Sequence, residues 1–91
     1  MRIAVYGPLR SATGGKDVDL RVGDATVREV VTALVEAYPR AAPYLYDEEG
    51  TVRPSVRVAV NGTRAELDDS CPSDATVSLF PAVQGGRGSG R

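Results

Sequence analysis

Two changes of hydrophobic period leave this chain few folds to choose from. Up to Val22 the apolar residues recur at every second position: Val18, Leu20 and Val22 alternate with Asp17, Asp19 and Arg21, the pattern of a half-buried strand with one wet face. Beyond Gly23-Asp24 the spacing becomes helical, with Val27, Val30, Val31, Leu34 and Val35 at i, i+3, i+4, i+7 and i+8. Past Pro54 the alternation returns in Val56, Val58 and Val60, and again in Thr76-Val77-Ser78-Leu79-Phe80. One helix set among several strands must cover a sheet, because neither element can bury its apolar face alone.

Local signals place the boundaries. Arg2-Ile3-Ala4-Val5-Tyr6 reads as a first strand, broken by Gly7-Pro8, with Gly14-Gly15 as a turn before the second strand, so that the two form an N-terminal hairpin. Thr26-Val27-Arg28-Glu29 fits a capping box, and Pro39 stops the helix after about Tyr38. Residues 40–55 read as irregular, with a short turn of helix over Ala41–Tyr46 that docks one tyrosine on the core. Asn61-Gly62 predicts a type I′ hairpin leading into a short strand from Thr63 through Ala65. Pro72-Ser73-Asp74 is a further turn. The resulting order is strand, strand, helix, strand, short strand, strand. It predicts an α+β β-grasp (ubiquitin-like) fold: a mixed sheet of four to five strands with one main helix packed on one face. The first and last strands lie together in its centre as a parallel pair.

Composition narrows the chemistry. The 91 residues are 42% hydrophobic, enough for one core, and carry a formal charge of −1. A domain this small buries roughly 60–65% of its unfolded surface. Bulk attraction to nucleic acid or to an anionic membrane is not expected, and no apolar run approaches a membrane span, so the chain reads as soluble and cytoplasmic. There is no histidine and a single cysteine, Cys71. An internal disulfide, a thiolate zinc site and an iron–sulfur cluster are thereby excluded, and the commonest general base is missing. Catalysis by its own side chains is not expected, and no metal site is assigned. Cys71 reads as an incidental surface or half-buried thiol in a polar turn. Asp47-Glu48-Glu49 reads as a solvated loop without calcium spacing, and Gly14-Gly15-Lys16 as a turn rather than a phosphate loop. Arg53, Arg57 and Arg64 are expected to share an exposed face, where they either meet an acidic partner surface or serve solubility alone.

The end of the chain carries the chemistry. The last strand runs into Pro81-Ala82-Val83-Gln84-Gly85-Gly86. Without side chains, Gly85 and Gly86 let the backbone approach another protein closely, and residues 83–86 extend at most roughly 13–14 Å. The domain is therefore divided into a β-grasp body over 1–83 and a tail over 84–91. Phe80, Pro81, Ala82 and Val83 form the expected docking segment, with Pro81 and Val83 as exposed contacts. Phe80 is left open between core and docking, and Gln84 and Gly85 thread the partner's site. Proline cannot donate to a ladder, so Pro81 ends strand pairing and launches the tail.

These residues resemble the ubiquitin-like sulfur carriers: the small subunit of molybdopterin synthase, the thiamine sulfur carrier, the cysteine-biosynthesis carrier and the small archaeal modifiers. The likeness rests on the N-terminal hairpin, Asp24-Ala25-Thr26-Val27-Arg28-Glu29-Val30, Val58-Ala59-Val60-Asn61-Gly62 and Leu79-Phe80-Pro81-Ala82-Val83-Gln84-Gly85-Gly86, and covers residues 1–86. It implies a carrier and not an enzyme, binding no cofactor of its own. An ATP-using activating enzyme adenylates the Gly86 carboxylate, a sulfur donor converts it to a thiocarboxylate, and a biosynthetic enzyme accepts the sulfur. In modifier relatives the activated glycine is joined to lysine instead. Arg87-Gly88-Ser89-Gly90-Arg91 departs from the pattern. The resemblance then implies a precursor cut between Gly86 and Arg87 by a metallopeptidase, the alternative being a tail that is tolerated or a carrier role that is lost. A reading from a different class is a non-catalytic β-grasp binding module.

Overall fold

A computed structural model describes residues 1–81. Its strands are β1 (Arg2–Val5), β2 (Asp17–Asp19), β3 (Ala25–Thr26), β4 (Arg57–Val60), β5 (Thr63–Ala65), β6 (Ser70–Cys71) and β7 (Thr76–Phe80). Its helices are α1 (Leu9–Thr13), α2 (Val27–Ala37) and α3 (Ala42–Leu45), the last preceded by a 3₁₀ turn over Pro39–Ala41. The main sheet has the order β2-β1-β7-β4-β5. β1 and β7 are parallel, pairing Arg2 with Thr76 through Val5 with Leu79, and the other contacts are antiparallel. β7 is thus the central strand, as the alternation of apolar residues predicts for a β-grasp fold.

The helix α2 forms where the sequence places it, and its start is secured at every donor. Glu29 N–H donates to Thr26 Oγ1 at 3.2 Å and Thr26 N–H to Glu29 Oε1 at 2.9 Å, completing the capping box. Val27 and Arg28 donate their N–H groups to the carbonyls of Asp69 and Leu67 at 3.0 and 2.8 Å. All four N–H groups that a helix start leaves without an intrahelical partner are therefore satisfied. This also explains the course of residues 67–71: the chain lies across the helix start, then pairs β6 with β3 in a two-residue ribbon. Val27, Val30, Val31 and Leu34 are wholly buried, against Ile3, Val5, Val77 and Leu79 of the sheet's inner face. Burial of each such side chain is worth roughly 1.5–3 kcal/mol.

The Asn61-Gly62 turn is type I′, with φ of 51° and 84°. Asn61 also ties the hairpin to the central strand: its N–H donates to Thr76 O, and Thr76 N–H donates to Asn61 Oδ1 at 3.0 Å.

Several local expectations are corrected. β2 ends at Asp19 instead of continuing to Val22: the ladder with β1 closes at the pair Arg2–Asp19, and past it Leu20 N–H donates to the carbonyl of Met1. The connection between β1 and β2 is not a bare turn but contains α1. This helix hangs on the fully buried Leu9 and closes at Gly14, whose φ of 84° suits glycine. The short helical turn in the 40s, by contrast, forms as expected and docks one tyrosine on the core: Tyr46 packs there with its hydroxyl 3.3 Å from Thr32 Oγ1, beside the fully buried Leu45, while Tyr44 stays exposed.

Substitution Thr26→Ala removes the cap acceptor without touching the core. It is expected to lower stability by about 1 kcal/mol, read as a lower urea midpoint at unchanged slope.

Candidate functional site

Side chains alternate across a strand, so the register decides what each face presents. With Ile3, Val5, Val58, Val77 and Leu79 turned to α2, the outer face carries Asp17, Ala4, Ser78, Ala59 and Arg64 in one row across all five strands. Its middle three residues are small and half-buried. The next row pairs Arg57 with Phe80. Parallel pairing of β1 with β7 then sets Tyr6, the residue after β1, beside Phe80, the last residue of β7.

Those two aromatics form the most distinctive surface feature. Tyr6 and Phe80 are 36% and 38% exposed, and their rings stack with centroids 4.4 Å apart and planes 15° from parallel. Arg10 closes the cluster from α1: its Nε donates to the carbonyl of Val5 at 3.0 Å, and its guanidinium carbon lies 5.2 Å from the Tyr6 ring centre. A cation held over a ring gains from the ring quadrupole. Phe80, left open by sequence, therefore stands on the outer face as a stacked, accessible aromatic and not in the core.

Pro81 is corrected. Expected as an exposed contact, it is buried. Its ring lies over Gly7, where an added Cβ would sit 3.5 Å from Pro81 Cγ. Gly7 has φ +61° in the turn that leaves β1, a left-handed conformation that glycine adopts without strain. Pro81 thus fastens the chain at the end of β7, and the tail starts from a fixed point. The remaining predicted site residues, Ala82, Val83, Gln84, Gly85, Gly86 and Arg87, lie outside the described residues, as does the proposed boundary at residue 83.

Tyr6, Gly7 and Arg10 were not singled out from sequence. A signal existed for the first two: once the first and last strands are paired in parallel, whatever follows the first must flank the end of the last. Arg10 had none, since α1 is too short to display a period.

Cys71 is also corrected. It is fully buried in β6, and burial first, then the charge of Asp69, pushes its thiol above the ordinary range. A thiol held protonated is a poor nucleophile. The Asp47 side chain accepts from the N–H groups of Glu49 and Thr51 at 2.9 and 3.0 Å, which makes the acidic loop a self-satisfied turn. Among the described residues no group of three or more His, Cys, Asp or Glu could hold a metal ion, and no helix is long and apolar enough to cross a membrane.

A five-stranded β-grasp sheet under one main helix, with an aromatic step at the end of its central strand, places the chain among ubiquitin-like proteins. Comparison with known proteins agrees. The ThiS family profile matches residues 3–86. Small archaeal modifier protein 1 of Haloferax volcanii is 31% identical over 94% of this chain and 100% of its own length. Its crystal structure superposes with a TM-score of 0.85, covering 94% of this chain and 98% of that one. A chain from the crystal structure of the Amycolatopsis orientalis BexX/CysO complex gives a TM-score of 0.73 at 27% identity, covering 93% and 98%. The chain belongs to the ThiS family of ubiquitin-like sulfur carriers and modifiers, and is a carrier rather than an enzyme.

Two outcomes are expected. Phe80→Ala and Tyr6→Ala remove half-exposed rings and cost about 1 kcal/mol each, whereas Leu79→Ala, one residue away on the core face, costs about 2–5 kcal/mol; urea unfolding compares them. For Cys71 the folded thiol titrates above the unfolded one. Its contribution to stability is therefore complete below the unfolded value, about 8.5, and is lost as pH rises from there through the folded value. Above pH 8.5 the natural chain should lose stability relative to Cys71→Ala, measured by urea midpoints across pH.

Proposed function

We propose that this chain is a sulfur carrier whose working group is the carboxylate of Gly86, exposed by removal of Arg87–Arg91. The observation that carries the reading is the extent of the family match, which ends at residue 86, on the second glycine. The chemistry follows from the terminus. A carboxylate is a poor acyl donor until one oxygen becomes part of a leaving group. Attack of a Gly86 oxygen on the α-phosphate of ATP releases pyrophosphate and gives an acyl-adenylate. A sulfur donor then displaces AMP, leaving a thiocarboxylate that a biosynthetic enzyme consumes.

The chain has no histidine to serve as base, so the activating enzyme supplies base, nucleotide site and orientation. The body's part is to position the tail. Phe80, Tyr6 and Arg10 dock against the enzyme while Ala82 and Val83 follow the surface, and Gln84 and Gly85 enter a channel that holds the reactants in attack geometry. A metallopeptidase that cuts between Gly86 and Arg87 makes the active form, and all of this belongs in the cytoplasm with the ATP that drives it. Lysine conjugation through the same activated glycine is the second reading, favoured by likeness to a protein named as an archaeal modifier.

Incubation with a cognate activating enzyme and ATP tests the proposal. A chain ending at Gly86 should exchange pyrophosphate into ATP and acquire the mass of a thiocarboxylate. The full 91-residue chain should do neither until it is trimmed, and Gly86→Ala on the trimmed chain should lower the rate by at least about a hundredfold. Equal activation of the full-length chain would refute the processing step. Activity that survives loss of both glycines would refute the carrier reading, and isopeptide links to lysine would favour the modifier.

A further inference from the structure

The β4–β5 side of the sheet, next to Phe80 through its cross-strand partner Arg57, carries a second recognition feature. A cleft of about 300 Å³ opens between β5 and the segment leading into β4. Its floor is apolar, from Val56, Ala65 and Leu67, and Arg53, Arg57 and Arg64 line it with Glu66 as the one carboxylate. Among the described residues the ion pairs are those of Arg2, Arg28 and the N-terminus, so none of these three arginines is neutralised by a partner. Arg53 is held in place by its Nε donating to the carbonyl of Pro43 at 3.2 Å. Arg57 and Arg64 are exposed. Arg53 also borders the acidic loop Asp47–Glu49, so the cationic character of the cleft rests on Arg57 and Arg64 against Glu66.

The backbone beside the cleft is open as well. β5 is the last strand of its sheet. The two-residue turn makes Val60 and Thr63 a hydrogen-bonded pair, and antiparallel alternation then makes Ala59 and Arg64 a non-bonded one. The N–H and carbonyl of Arg64 consequently face away from β4, along the open edge of β5.

We propose that this cleft binds an extended acidic segment of a partner protein, its carboxylates on the arginines, an aliphatic side chain on the Val56–Leu67 floor and its backbone against Arg64. Planar guanidinium groups match carboxylates in two-point contact, and strand addition at an open edge is an established way to hold a peptide. A nucleic-acid occupant is disfavoured, because none of the chain's five aromatic residues lines the cleft to stack a base. The site is independent of Gly86, so failure here leaves the carrier reading intact, and failure of activation leaves this one intact.

The test is titration of the ¹⁵N-labelled 91-residue chain with a short peptide alternating glutamate and valine, followed by backbone amide shifts. Expected are saturable shifts centred on Thr63–Leu67 and on residues 52–57, weakened by about tenfold or more in Arg57→Glu/Arg64→Glu and by added salt. If that variant loses the dispersed spectrum of a folded chain, Arg64→Gln replaces it, with about a threefold loss expected. The proposal is overturned by absence of shifts, by shifts centred on Tyr6 and Phe80 or on residues 87–91, or by an equal response to a lysine–valine peptide. It is equally overturned if oligouridylate displaces the peptide, or if the same amides move with protein concentration alone, which would make the occupant a second copy.

Discussion

Parallel pairing of the first strand with the last is the contact on which the rest of this structure depends. Closing residues 2–5 on 76–79 joins segments from opposite ends of the chain, and the entropy lost is recovered only when the intervening elements pack. The pairing places β7 between two neighbours, so that Val77 and Leu79 are wholly buried beneath α2. It also decides where the chain leaves the body. A terminus that departs from the middle of a sheet emerges between neighbouring elements, here the turn after β1, and those elements become its surroundings. The Tyr6–Phe80 stack and the seat of Pro81 on Gly7 are consequences of that one register.

A second consequence is the division of the sheet into unequal faces. α2 and the segment across its start fill the inner face. The outer face keeps small residues, Ala4, Ser78 and Ala59, at the centre of its widest row, with charged Asp17 and Arg64 at the edges. A face floored by small side chains and walled at one end by stacked aromatics admits the close approach of another protein, while the apolar area left open stays modest. The arginine cleft lies on the β4–β5 side of the same sheet and adjoins the aromatic step, because Arg57 is the cross-strand partner of Phe80.

How much of this was legible in the sequence follows from the physics of each signal. Long periodic segments were plain: the helical stripe from Val27 to Val35, the alternation in β4 and β7, and the Asn61-Gly62 turn all act through neighbours a few residues apart. What escaped was set by distant partners. β2 stops at Asp19 because β1 begins at Arg2, a fact about another strand. The β3–β6 ribbon exists because α2 needs carbonyls from Asp69 and Leu67 at its start, and two residues cannot announce a strand. Pro81 was expected outside because proline ends a ladder, which it does, but its ring finds cover on a glycine 74 positions earlier in the chain. Cys71 was misjudged for the same reason: its sequence neighbours are polar, while its spatial neighbours are the core.

That burial has a meaning within the carrier reading. An activated glycine is an electrophile tethered to its own body, and the most dangerous nucleophile for it is a thiolate on that body, where effective concentrations are high. This chain contains one thiol. It lies in β6 with no exposed surface, and both the loss of solvation and the neighbouring Asp69 hold it protonated. The absence of histidine removes the usual means of activating either a thiol or a water against the acyl group. A body that delivers a reactive terminus to another protein's site is best made of groups that will not react with it first. Most of the described surface is of that kind, arginines, carboxylates, hydroxyls and two stacked rings, with Lys16 its single exposed lysine amine, and the one thiol is sealed in the core.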